Sequence, residues 1–325
     1  LYTVTGGIRG VIVMDAVQFL ITGGSMLLIL GFIAVKLGLS PAAMAGELRE
    51  AGRFTLFDPA GSPARTLTFW SVLIGMAVTS FGSYLADQMS LQRYLAADTR
   101  RDARRSFMVN IAGAYGIAVI LVLVGLLLWL WYRHHPDAAL PARPDQVLAH
   151  FIATQLPPGL SGLLVAAILA ATIDSMTSGI NAVSAALTND WLVPLGRART
   201  SAELVRFGRR ANLVIGVLAT LSAGLAATLG PALDSSQILM GSFLGSMLAG
   251  MLLAVSGLRV RRGAVVAGMA AGLVAGWAVA ASALSVMWVA PAALGVGLAV
   301  PLLAGLVFRL PAAVAAPLLS TKENP

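Results

Sequence analysis

The stretch Leu163–Trp191, LLVAAILAATIDSMTSGINAVSAALTNDW, is apolar over a length that can cross a bilayer as a helix, yet an aspartate sits in its middle. Crossing takes about 20 residues. Ala171, Asp174, Ser178 and Asn181 follow one another at steps of three and four, so they share one helical face. Ser175 and Thr177 flank that face. A carboxylate near mid-membrane costs on the order of 2.5–3.5 kcal/mol on insertion scales, so Asp174 has to face protein, water or an ion. Two readings fit. One is a Ser/Ala stripe for close packing, with Asp174 hydrogen-bonded to a neighbouring helix. The other is a cation site built from oxygens. The hydroxyl and amide residues alone favour packing; Asp174 on the same face moves the balance to a cation.

The rest of the chain agrees with a membrane setting. Of its 325 residues, 58% are hydrophobic and 11% charged, and the mean hydropathy is +0.85. That excludes an ordinary soluble domain and indicates an all-α polytopic membrane protein, a single transmembrane domain over 1–325. The net charge of +8 is then read connection by connection, as orientation, and implies no nucleic-acid partner. The chain has no cysteine, so disulfides, thiolate metal sites and cysteine nucleophiles are excluded. His134, His135 and His150 all fall in one polar connection, and no histidine lies within a span. With no nucleophile–base or metal set in the bilayer, an enzyme is not expected.

Eight apolar spans are expected, over about 10–35, 68–92, 107–132, 160–188, 211–230, 235–257, 263–288 and 291–309. The connections between them alternate in basic content. Sixteen of the 22 lysines and arginines fall on one side and six on the other. The positive-inside rule makes the richer side cytoplasmic. Residues 93–106 and 189–210 are then cytoplasmic loops, 38–66 and 133–159 external loops, and 311–325 a short cytoplasmic tail. Residues 38–66 are expected to hold a short surface helix. Another is expected over Val147–Leu156, lying on the bundle among several prolines. Trp129, Trp131 and Tyr132 suit the interfacial belt.

Three further features bear on function or packing. Asp15 is a second acid inside a span, about one turn from its cytoplasmic end, and structure and function account for it equally well. The second span is the least helix-like, with Thr79, Ser80, Phe81, Gly82, Ser83 and Tyr84 at its centre and Asp87 and Gln88 beyond. Both a broken helix lining a cavity and a kinked, packed span fit that composition. In the sixth and seventh spans, Gly241, Ser242, Gly245, Ser246 and Gly250, then Gly268, Gly272 and Gly276, form small-residue rows expected to pack closely.

The segments GGIRGVIVMDAVQF, DQMSLQRYLAADTRRDARRS and LVAAILAATIDSMTSGINAVSAALTND resemble, in order and spacing, three successive segments of the sodium/solute symporter family. SFLGSMLAGMLLAVSGLRVRRGAVVAG is similar to the family's tenth core helix and the loop after it, so the likeness covers roughly 5–275. The resemblance implies the inverted-repeat fold of the sodium-coupled leucine transporter. It makes the first span core helix five and the fourth core helix eight. Core helices one to four are then missing, and the start at Leu1 is read as a fragment's start.

Residue roles follow from the same resemblance. The position of Ala171 gives sodium a backbone carbonyl and that of Ser175 a hydroxyl. The position of Asp174 normally carries Ser or Thr, so the acid here is a departure that either tightens cation binding or lets a proton compete. A second sodium site in some members uses the acid at Asp15 with positions 174, 177 and 178, where Thr177 and Ser178 keep oxygens. Ser80, Ser83 and Tyr84 match positions lining the substrate cavity, and Asp87 and Gln88 the segment after them. The implied activity is sodium-coupled uptake of a small solute across a plasma membrane by alternating access. Sodium is then a transported ion and the lipid bilayer the setting. A sensory module fused to signalling domains is the alternative.

Overall fold

The computed structural model describes residues 2–54, 58, 62–65, 67–87, 97, 99–196, 200–226, 231–258 and 260–307. The side chains of 2–12, 14, 15, 174, 201, 225, 226 and 307 also fall outside the description. Every regular element among the described residues is helical. The chain divides into two compact units that alternate along the sequence: Leu1–Phe54 with Ala97–Thr228, and Thr55–Ala96 with Leu229–Pro325.

The first unit holds α1 (Tyr2–Leu37), α2 (Pro41–Glu50), α4 (Arg100–His134), α5 (Pro144–Gln155), α6 (Pro158–Ala186) and α7 (Ser201–Ala226). Local chemistry sets the starts. The Ser40 hydroxyl accepts from the Ala43 N–H at 3.2 Å and Pro41 supplies the first turn of α2. Thr99 caps α4 in the same way through the Asp102 N–H at 3.1 Å. Helices α5 and α6 each begin on a proline. The expected surface helices are present as α2 and α5, and the charged link before the third span is part of α4 itself.

Phe151 of α5 is the hub of this unit's core. Its ring meets Trp131 edge-on at 5.6 Å between centroids, and Ile29, Ile33, Leu128 and Leu164 close round it. Burying a side chain of that size contributes about 1.5–3 kcal/mol. Two side-chain hydrogen bonds tie the connections down: His150 with Asp137 and His134 with Glu47, each at 2.8 Å. The His150 hydrogen bond, followed by the Ala139 N–H, holds the Asp137 carboxyl below the ordinary carboxylate range.

The second unit holds α3 (Phe69–Leu85), α8 (Ala232–Val255), α9 (Arg262–Ala280), a single 3-10 turn (Val286–Trp288) and α10 (Val289–Val307). Helices α8, α9 and α10 pack mutually, and α3 lies on α8 and α10. The glycine rows act as expected. A methyl at Gly245 would run into the Ala290 carbonyl, one at Gly272 into the Ala293 carbonyl, and one at Gly276 into Ser242. Ser242 and Ser246 are buried beneath these crossings, their hydroxyls given to the Ile238 and Met269 carbonyls.

Among the described residues, six helices are long and apolar enough to cross a membrane: Ala16–Leu37, Arg100–His134, Pro158–Leu192, Ala232–Val255, Arg262–Ala280 and Val286–Leu306. Two of the eight expected spans stand apart from these. Helix α3 is apolar but only 17 residues long. Helix α7 is 26 residues long, but its first turns carry Glu203, Arg206, Arg209 and Arg210, which leaves its apolar character to the second half.

Candidate functional site

Helix α6 carries the polar face read from the sequence, and its backbone stays α-helical from Pro158 through Ala186. The Ser175 hydroxyl donates to the Ala171 carbonyl at 3.2 Å, which sets these two oxygens side by side. Thr177 donates to the Ile173 carbonyl at 2.8 Å. Bonds of this kind satisfy the hydroxyl proton and leave the oxygen's lone pairs free to accept a cation. Ser178 differs from both. Its hydroxyl oxygen is shielded from solvent and has no hydrogen-bond partner among the described residues.

A buried hydroxyl left unpaired costs free energy, about 1–3 kcal/mol, unless something outside the protein's own groups engages it. An oxygen-seeking ion fits that requirement, and the chemistry of the face suits sodium: carbonyl and hydroxyl oxygens, with a carboxylate residue at position 174. Helix α1, which carries Asp15, packs on α6 within the same unit. The structure joins Ala171 to Ser175 and places Thr177 and Ser178 on the same helix, while the side chains of Asp15 and Asp174 lie outside the described residues.

One helical turn further on, the face meets residues that the sequence reading did not single out. Asn181 accepts from the Asn212 amide of α7 at 2.9 Å, and Ser184 donates to the Gly208 carbonyl at 3.0 Å. These groups, with Thr188, Asn189 and Arg209, line a polar cavity of about 350 Å³. Helix α6 loosens there into a π-helical turn, Leu187–Leu192. The signal for Asn212 was available: an amide at the second residue of an expected apolar span, two residues after Arg210.

The residues matched to a substrate cavity lie on α3 of the other unit. Thr79 and Ser83 turn back onto the carbonyls four residues earlier, at 2.9 and 3.0 Å. The helix is unbroken through Thr79–Tyr84 and stops at Leu85, where the Gly82 carbonyl accepts from both the Ala86 and the Asp87 N–H. The interruption therefore falls after the Ser–Gly–aromatic run rather than inside it. Gly82 itself presses against Leu244 of α8. Ser80, Ser83, Tyr84 and Asp87 recur at helical spacing, and all four are half-buried. Gln88 lies outside the described residues.

Comparison with known proteins follows the same lines. The model of the sodium:solute symporter family matches residues 1–272. The chain belongs to this family. It is 28% identical over 252 residues to sodium-coupled monocarboxylate transporter 1 of Xenopus laevis, across 76% of this chain and 40% of that protein. It is 27% identical over 226 residues to a sodium/sialic acid symporter of Proteus mirabilis, across 69% of this chain and 45% of that one. A solved structure of a sodium-coupled sialic acid symporter, in its substrate-bound outward-open state, superposes with a TM-score of 0.82 at 25% identity. It covers 94% of this chain, which spans 64% of it. The chain spans less than half the length of the two curated relatives. The fold is thus an all-helical, multi-pass membrane fold of the leucine-transporter type, as the resemblance implied. The relatives are transporters, not enzymes.

Proposed function

We propose that the protein is a sodium-driven secondary transporter for a small organic solute carrying a carboxylate. The observation that supports this most directly is the Ser178 hydroxyl, buried without a partner on a face that also presents the paired oxygens of Ala171 and Ser175. In our reading Thr177 and Asp174 add to this set from α6, and Asp15, a residue of α1, contributes a second acid. Monocarboxylates and sialic acid, the solutes in the names of the relatives, share a carboxylate. In our reading Ser80, Ser83, Tyr84 and Asp87 line the solute's path from α3, with Gln88 just beyond.

Sodium enters an oxygen-lined site near mid-membrane and biases the protein toward one conformation, so that its downhill entry drives the solute. Such coupling needs differential affinity between arrangements, which an ion bridging several oxygens supplies. The resemblance puts Ser or Thr where Asp174 stands, and in our reading the acid either tightens cation binding or lets a proton compete. In our reading residues 93–106, 189–210 and 311–325 lie on the cytoplasmic side of a plasma membrane, which the basic asymmetry of the connections supports.

The test is uptake of labelled pyruvate and labelled sialic acid into liposomes holding the full-length protein, with and without an inward sodium gradient. Uptake of at least one solute is expected to require the gradient. Uptake at the same rate with potassium replacing sodium would overturn the reading.

A further inference from the structure

Away from the polar face of α6, the unit that contains α4 and α5 has a deep apolar groove of about 600 Å³. Its walls are Leu121, Val124 and Leu128 of α4 with Leu140, Val147 and Leu148. Gly125 forms part of the floor, and nothing lies within 4 Å of where its Cβ would be. Along α4 the groove runs from Leu121 to Arg133. At 1.5 Å per residue that is about 18 Å. The hydrocarbon core of a bilayer is about 30 Å thick, so the groove is close to one leaflet deep. It ends among Trp129, Tyr132 and Arg133, where the aromatic belt marks the interface.

Charge is concentrated at that end. Trp129 carries two guanidinium groups, Arg53 at 4.6 Å and Arg133 at 5.4 Å from its ring centre. A guanidinium stacked on a ring still presents its N–H edge to an anion. The neighbouring carboxylates are already engaged: Glu47 with His134, Asp137 with His150 and Asp145 with Arg143. Glu50 is exposed at the end of α2. No ion pair of Arg53 or Arg133 occurs among the described residues.

We propose that this groove holds one anionic phospholipid, with an acyl chain along α4 and the headgroup phosphate between Arg53 and Arg133. The depth fits a chain confined to one leaflet. The two arginines fit a phosphate, which takes guanidinium forks in paired hydrogen bonds. The lipid fixes α5 and the carboxyl end of α2 to the outer turns of α4, the scaffold from which α6 departs two residues after α5 ends.

The experiment is native mass spectrometry of the purified protein released from nanodiscs of phosphatidylglycerol and phosphatidylethanolamine in equal amounts. One phosphatidylglycerol is expected to remain bound in preference to phosphatidylethanolamine. Arg53→Gln with Arg133→Gln is expected to lower its retention by about fivefold per arginine, roughly thirtyfold together. Gly125→Leu, which fills the groove where there is space, removes the lipid with both arginines intact. Arg104→Gln with Arg105→Gln, at the other end of α4, leaves retention unchanged. Melting curves confirm that each variant is folded. Equal retention of both lipids, or retention unaffected by the double arginine variant or by Gly125→Leu, overturns the proposal. So does saturation of the arginines by inorganic phosphate with no lipid bound.

Discussion

Helices α6 and α8–α10 are built from the same small residues, yet they use them in opposite ways. In α8 and α9 the glycines at the crossings meet a neighbouring helix: Gly245 backs onto the Ala290 carbonyl and Gly272 onto the Ala293 carbonyl. In α6 the glycines at 159, 162 and 179 have nothing within 4 Å of a built Cβ. The serines divide the same way. Ser242 and Ser246 are buried and bonded, whereas Ser175 is exposed and the Ser178 oxygen is shielded but unpaired. Small residues in a membrane helix therefore mean either close approach of backbones or a bed of available oxygens, and composition does not choose between them. A carboxylate on the face does, because an acid is expensive where helices merely pack.

The largest effect expected from this contrast is on stability. Gly272→Leu drives a side chain into the Ala293 carbonyl and the Ser246 hydroxyl, and overpacking of that kind costs about 3 kcal/mol. Gly179→Ala on α6 meets no neighbour and gains helix propensity, so it is expected to be neutral or stabilising by up to about 1 kcal/mol. Unfolding of the purified protein by heat or by denaturing detergent measures both. Equal losses would erase the distinction between the two regions.

Next in size is the ion. Ser178→Ala removes an unpaired oxygen, and a hydrogen-bonding group facing a charge is worth about 1.5–3 kcal/mol, so sodium half-saturation is expected to rise roughly tenfold or more. Ser242→Ala in α8 removes a hydroxyl already given to Ile238 and is expected to leave sodium dependence as it was. Sodium titration of uptake by the full-length protein compares the two. A larger sodium shift in Ser242→Ala would reverse the assignment of the faces.

Asp174→Ser restores the residue usual in the family and tests the acid itself. In the proposed site Asp15 and Asp174 share one ion and titrate as a pair, so removing one is expected to flatten the pH dependence of sodium affinity between about pH 5 and 8. A pH profile and sodium affinity both identical to the parent's would make Asp174 a packing residue.

These contrasts also show why some features were readable and others not. The polar face of α6 was legible because it repeats with the helix period, and the glycine rows because they repeat at four. The end of α3 at Leu85 was not. The Thr79–Tyr84 run lowers helix propensity throughout, and the stop comes only where the Gly82 carbonyl takes two N–H groups at once. Asn181 was visible as a polar residue, but its partner Asn212 lies 31 residues away, and no local pattern links them. Arg53 and Arg133 counted only as charges on a connection. Arg133 reaches Trp129 within one turn of α4, but that Arg53 stacks on the same ring depends on the packing of α2 against α4, a tertiary fact.

The smallest effect concerns how firmly the start of α6 is anchored. Helix α5 ends at Gln155 and α6 begins at Pro158, so whatever holds α5 also positions the entrance to the oxygen-lined face. The His150–Asp137 bond is one such hold, and it keeps the Asp137 carboxyl below its ordinary value of 3.8. A depressed carboxyl stabilises the fold fully above its unfolded value, and that contribution is lost as pH falls through the folded one. Hydrogen exchange over residues 144–155 is therefore expected to be insensitive to this group above about pH 5 and to quicken as the pH drops below about 4. His150→Gln should bring the Asp137 titration, followed by carboxyl NMR, back toward the ordinary value. The glycine-packed helices α8–α10 have no such acid at their crossings and should show no matching step. A step of equal size in both regions would mean that acid loosens the whole fold, and the clasp would then be a bystander.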